Sequence, residues 1–159
     1  MSHLHHHFPF DPSYGFTLEQ LLDIKCPEPP HQFVDFWHSR YQRTICIDPY
    51  SEIRFSYRQA GFKVFDIQYQ STDGFEIGGW LLEPDNDHVT QIIVVGHGYG
   101  GRDQADFHFN IPDTAFLFPC FRGISRSRTS RVSDQPSQHV LKDIESPERY
   151  ILGGCVDDL

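Results

Sequence analysis

Residues 92 to 101 read I-I-V-V-G-H-G-Y-G-G, an apolar and mostly β-branched run that breaks into four glycines framing His97 and Tyr99. Such a break delivers a strand to a place where backbone must approach something closely. Three chemistries fit it. Gly96, Gly98 and Gly101 satisfy G-x-G-x-x-G, the turn that cradles a dinucleotide pyrophosphate. That device also needs a helix opening at the third glycine and an acidic residue after the next strand. Here R-D-Q-A-D-F-H-F-N-I-P-D has little helical character, and Cys120-Phe121-Arg122 stand where the acid belongs. The second chemistry is an oxyanion loop, in which glycines let a backbone N–H come close to a tetrahedral intermediate. The third is a tight turn that only packs.

An oxyanion loop serves a nucleophile. A serine hydrolase of this kind needs a serine on a G-x-S-x-G elbow, then an aspartate, then a histidine. Gly123-Ile124-Ser125-Arg126-Ser127 is a near match, but it ends in serine and follows the wrong strand. His97, His108 and His139 are the available bases, and Asp143, Asp157 and Asp158 the available orienting acids. Arg122, Arg126, Arg128 and Arg131 lie in a hydroxyl-rich stretch that reads as a solvated loop beside an active site in preference to an anion site. Cys26, Cys46, Cys120 and Cys155 are scattered, with no C-x-x-C spacing, and are expected to be reduced, mostly packed thiols. The terminal tract with His3, His5, His6 and His7 is expected to be a polar tail and no metal site.

These groups must be carried by regular elements. Thr17 to Leu22 looks like a short capped helix, ended by C-P-E-P-P at 26 to 30. His31 to Arg43 sets Phe33, Phe36, Trp37 and Tyr41 at helical spacing, which predicts a packing face. From Ser51 to Pro84 the pattern alternates, predicting antiparallel strands with S-T-D-G at 71 to 74 as a turn. Gln91 to Val95 and Thr114 to Cys120 are continuous apolar runs, the signature of strands covered on both faces in a parallel sheet. Ser146 as N-cap, with Pro147 and Glu148 behind it, predicts a last helix running toward Leu159.

Taken together, D-F-W-H-S-R, F-D-I-Q-Y-Q-S-T-D-G-F-E-I-G-G-W-L-L-E-P, G-H-G-Y-G-G-R, F-R-G-I-S-R-S and I-E-S-P-E-R-Y-I-L-G-G-C-V-D-D-L resemble the acetyl xylan esterase and cephalosporin-C deacetylase group of carbohydrate esterases. The resemblance implies an α/β fold: the N-terminal part of an α/β-hydrolase sheet, with antiparallel lead-in strands and then parallel strands with crossover helices. It implies a tail and helical extension over 1–44 and the first half of the hydrolase domain over 45–159, ending before the nucleophile strand. The whole enzyme would be a serine hydrolase of acetylated saccharides or other small acetyl esters, without a cofactor and a homo-oligomer at full length. Carried onto this chain, the resemblance makes the Tyr99 backbone N–H an oxyanion donor and its ring a wall of the acyl pocket, with His97 and Gly98 shaping the loop. Without its nucleophile, such a half is expected to be inactive and to present an unpaired strand edge.

Bulk composition sets outer limits. The 159 residues, 38% of them hydrophobic, suffice for one core or a piece of a larger one. A formal charge of −9, from 22 acidic against 13 basic residues, argues against a nucleic-acid groove or an anionic membrane surface. With no signal pattern and no long apolar run, the expected location is cytoplasmic.

Overall fold

The computed structural model describes residues 7, 9–109 and 111–159, so His3, His5 and His6 lie outside the described residues. Two compact units divide the chain, Met1–Phe33 and Val34–Leu159. In the first, helix α1 (Leu18–Leu22) begins at a capping box. The Thr17 hydroxyl accepts from the Gln20 N–H at 3.2 Å, and the Gln20 side chain accepts from the Thr17 N–H at 2.8 Å. Two otherwise orphaned donors are thereby satisfied, which is what lets so short a helix form.

Helix α2 (Phe33–Ile45), which from Val34 onward belongs to the second unit, keeps its predicted place but not its predicted face. Phe33 and Tyr41 are exposed, Phe36 and Trp37 are half-buried and meet edge to face at 5.0 Å, and the one buried residue of the helix is Arg40. The residue this helix buries is an arginine in an ion pair, with the Phe36 ring 5.6 Å from its guanidinium.

Alternation between 51 and 84 yields three antiparallel strands, β1 (Glu52–Gln59), β2 (Phe62–Gln70) and β3 (Glu76–Pro84). Ala60 and Gly61 both take positive φ in the first hairpin turn, the twist that suits adjacent antiparallel strands. The predicted S-T-D-G turn is a 3-10 turn at Thr72–Gly74. Strands β4 (Gln91–Val94) and β5 (Thr114–Pro119) pair in parallel, and β5 pairs antiparallel with β3, giving the sheet order β1-β2-β3-β5-β4. Val64, Trp80, Leu82, Phe116 and Phe118 form the main core on β2, β3 and β5.

Four expectations need correction. Strand β5 is buried almost throughout, but β4 is not covered on both faces: Ile92 is 59% and Val94 41% exposed. Between β4 and β5 no helix occurs among the described residues. The stretch after Arg122 holds a 3-10 turn at Ser125–Ser127 and runs into helix α3 (Pro136–Leu141), and the last helix, α4 (Ile151–Asp157), starts well after Ser146. The Ser146 carbonyl instead accepts from the N–H groups of Arg149 and Tyr150, closing a turn that precedes the helix.

Candidate active site

Beyond β4 the Val95 N–H still donates to the Leu117 carbonyl at 2.8 Å, and then the glycine turn leaves the sheet. Three contacts hold it. The Gly101 N–H donates to the Gly98 carbonyl at 3.0 Å, and Gly101 has φ +70° with Ser125 so close that a Cβ would stand 2.4 Å from its hydroxyl. Only glycine meets both demands. The Arg102 N–H donates to the Ser125 hydroxyl at 2.9 Å, while the Arg102 guanidinium donates to the Gly96 carbonyl at 2.8 Å and lies 4.8 Å over Phe118.

His97 makes the third contact. Its Nε2 accepts from the Phe121 N–H at 3.0 Å, its Nδ1 lies 2.7 Å from the Gly98 carbonyl, and its ring sits 4.5 Å from that of Phe121. An amide can only donate, so Nε2 carries the lone pair and the proton resides on Nδ1. Burial pulls the His97 pKa below its ordinary 6.5, and Arg102 and His139 push the same way against the bond to Gly98. Tyr99 stands at the tip, 45% exposed, and the N–H groups of Gly98, Tyr99 and Gly100 find no acceptor among the described residues. The loop is therefore rigidly held while its tip offers free donors. That combination suits an oxyanion. No helix opens at Gly101, residues 101–109 being non-helical, so the pyrophosphate cradle lacks its essential part.

The other candidates have different roles. Ser125, with φ 51°, spends its hydroxyl on the Arg102 amide. His139 is 1% exposed with its Nε2 2.9 Å from the Arg122 carbonyl, His108 is exposed, and Asp143 pairs with Lys142 at 3.4 Å. No serine hydroxyl meets a histidine ring among the described residues.

Of the four arginines, Arg126, Arg128 and Arg131 are exposed, as a solvated stretch requires, and Arg122 is not. Arg122 is 2% exposed and is gripped by Asp158, which accepts from the Arg122 backbone N–H at 2.9 Å and from Nη2 at 2.7 Å; Ser71 and Thr72 take further donors. Arg126 pairs with Asp66 and stacks 4.0 Å over Trp80, Arg128 pairs with Asp134 at 3.2 Å, and Arg131 donates to the Asp73 and Gly74 carbonyls. Asp157 in turn grips Arg40, at 3.1 Å to Nε and 2.6 Å to Nη2, and also accepts from Thr72 at 2.7 Å. Asp157 and Asp158 are thus structural counter-ions and orient no histidine. A sequence signal for them exists: Gly153 and Gly154 precede the two aspartates by four residues each, on the same helical face.

The acetyl xylan esterase sequence profile matches residues 13–150. This chain belongs to the acetyl xylan esterase family. Among solved structures, acetyl xylan esterase 1 from Thermoanaerobacterium sp. JW/SL YS485 aligns over 90% of this chain and 48% of its own, with TM-score 0.70 and 16% identity. The acetyl xylan esterase from Paenibacillus sp. R4 aligns over 72% of this chain and 38% of its own, with TM-score 0.55 and 23% identity. At such identities the likeness is one of fold, and it places the five strands within an α/β-hydrolase sheet. The chain spans about half the length of the first of these acetyl xylan esterases and less of the second.

Proposed function

We propose that this chain furnishes the oxyanion side of an acetyl-ester hydrolase acting on acetylated saccharides or related small esters. The carrying observation is the Tyr99 N–H, free among the described residues on a loop anchored at three points. In the reaction a serine attacks the acetyl carbonyl as a histidine takes its proton, the oxyanion accepts a hydrogen bond from the Tyr99 N–H, the alcohol leaves with that proton, and water hydrolyses the acetyl-enzyme to acetate and free serine. The described residues assemble no serine nucleophile, so the proposal assigns it, with its histidine and aspartate, to another part of the polypeptide.

Acetate release from p-nitrophenyl acetate and acetylated xylan by the natural gene product carrying these residues tests this. Tyr99→Pro, which deletes the donor, should lower kcat about 10²- to 10³-fold. An unchanged kcat removes Tyr99 from the mechanism, and no acetate release from the unaltered protein removes the hydrolase. The exposed edge of β4 favours a second reading, a protein that acts only by association. Turnover by the 159-residue chain alone, abolished by a serine-directed inhibitor, would sink that reading.

A further inference from the structure

We propose that His97 is a positioning residue: as a neutral ring protonated on Nδ1 it aims the Tyr99 N–H, and the oxyanion donor is set only while that ring stays unprotonated. This rests on the assignment of Tyr99 as the donor.

The geometry follows from one peptide unit. The Gly98 carbonyl and the Tyr99 N–H are opposite ends of the same planar group, and no peptide in the described chain is cis. Whatever fixes the carbonyl therefore fixes the N–H, pointing the other way. Two donors fix it, His97 Nδ1–H at 2.7 Å and the Gly101 N–H at 3.0 Å. The ring can serve only if it is itself held, and Phe121 holds it from the segment after β5, by the 3.0 Å bond to Nε2 and by ring contact at 4.5 Å. Strand β5 is thus connected to the orientation of one amide on the loop after β4.

Protonation breaks this arrangement. A second proton would go to Nε2, where it would face the Phe121 N–H, donor against donor. The charges bearing on the ring are Arg102, on its own loop, and His139, on α3, and both oppose the imidazolium, while Phe121 brings no charge. Arg102 is itself occupied by the Gly96 carbonyl and by Asp106 at 3.5 Å. The neutral form is therefore favoured near neutral pH, and acid releases the pin.

The test uses the 159-residue chain and needs no ester. The ¹⁵N shifts of the His97 ring and the exchange protection of the Phe121 amide are followed by NMR from about pH 8 to about pH 4. The expected result is an Nδ1–H tautomer at neutral pH and protection that falls about tenfold or more in step with the ring's titration. His97→Gln, whose side-chain oxygen can accept from the same amide, should keep the protection and lose its pH dependence. His97→Phe, which keeps ring contact without an acceptor, should lose protection at every pH. An Nε2–H tautomer, or Phe121 protection that ignores both pH and His97→Phe, overturns the proposal. Should these NMR results hold while the natural gene product releases no acetate, the pin stands and the esterase reading falls.

Discussion

Gly154 lies against the guanidinium of Arg122 so closely that a Cβ at residue 154 would stand 2.3 Å from Nη1 and 2.6 Å from Cζ. Gly153 does the same for Arg40, with 2.8 Å to Cζ. One turn further along α4, Asp157 and Asp158 supply the counter-charges. Each glycine opens the space that its aspartate's partner fills. Gly154→Ala should therefore destabilise the chain by about 1–3 kcal/mol, as overpacking does, and by more than Gly153→Ala. Urea denaturation followed by Trp37 and Trp80 fluorescence measures both, and equal, negligible effects would contradict the packing.

Removing one charge of the pair should cost more than removing both. Asp158→Ala strips the buried Arg122 guanidinium of its close carboxylate and leaves Asp73 at 3.5 Å, for an expected loss of about 3–5 kcal/mol. The joint change Arg122→Leu with Asp158→Leu replaces the pair with apolar volume and should recover part of it. Recovery is incomplete because Ser71 and Thr72 then lose a donor. A double replacement no more stable than Asp158→Ala would show that the charge imbalance is not what matters.

Thiol chemistry should separate the four cysteines into two classes. Cys26 and Cys46 are exposed, while Cys120 and Cys155 are buried. Burial, aided by Asp158, pushes the Cys155 pKa up to about 12, and burial raises that of Cys120 too. Because the thiolate is the reacting species, Cys26 and Cys46 should titrate quickly with a disulfide reagent at pH 8, and the other two only on unfolding. Rapid loss of all four in the native chain would rule out this burial.

The open side of β4 should drive association. Ile92 and Val94 are exposed on a strand whose outer edge pairs with no other strand among the described residues, a template for pairing with another chain. Sedimentation velocity should show concentration-dependent self-association of the 159-residue chain, reduced by Ile92→Lys. An unaffected, monomeric profile at high concentration would refute it.

His97 also ties stability to pH. A base whose folded pKa is lowered binds fewer protons folded than unfolded, so stability rises with pH through that interval. Its contribution is complete above about pH 6.5, the unfolded value, and is lost as pH falls through the lower folded one. Thermal melts of the wild type and His97→Gln at several pH values should run together above about pH 6.5 and diverge in acid, where the wild type alone loses the contribution. Parallel curves would exclude His97 as the linked group.

Local rules reveal part of this molecule. Thr17 and Gln20 announce their helix because both partners of the capping box lie within one turn. Strands β1 to β3 are visible because alternation is a property of neighbours. Strand β4 misleads, since I-I-V-V has the composition of a covered strand, and whether it is covered depends on what stands beside it. Ser146-Pro147 has the composition of a helix start, yet its carbonyl closes a turn and α4 begins later. The glycine turn announces close backbone approach, but Phe121 as the acceptor's partner is 24 residues away from His97. Arg122 looks like loop charge because Asp158, which buries it, is 36 residues distant.

The grip of Asp157 on Arg40 spans 117 residues of chain. Closing so long a loop is entropically slow, and the bond rewards it only once both ends are in place. Helix α2, met early in the sequence, is thus expected to dock among the last events of folding. Arg40 and Asp157 replacements should then chiefly speed unfolding and leave the refolding rate nearly untouched.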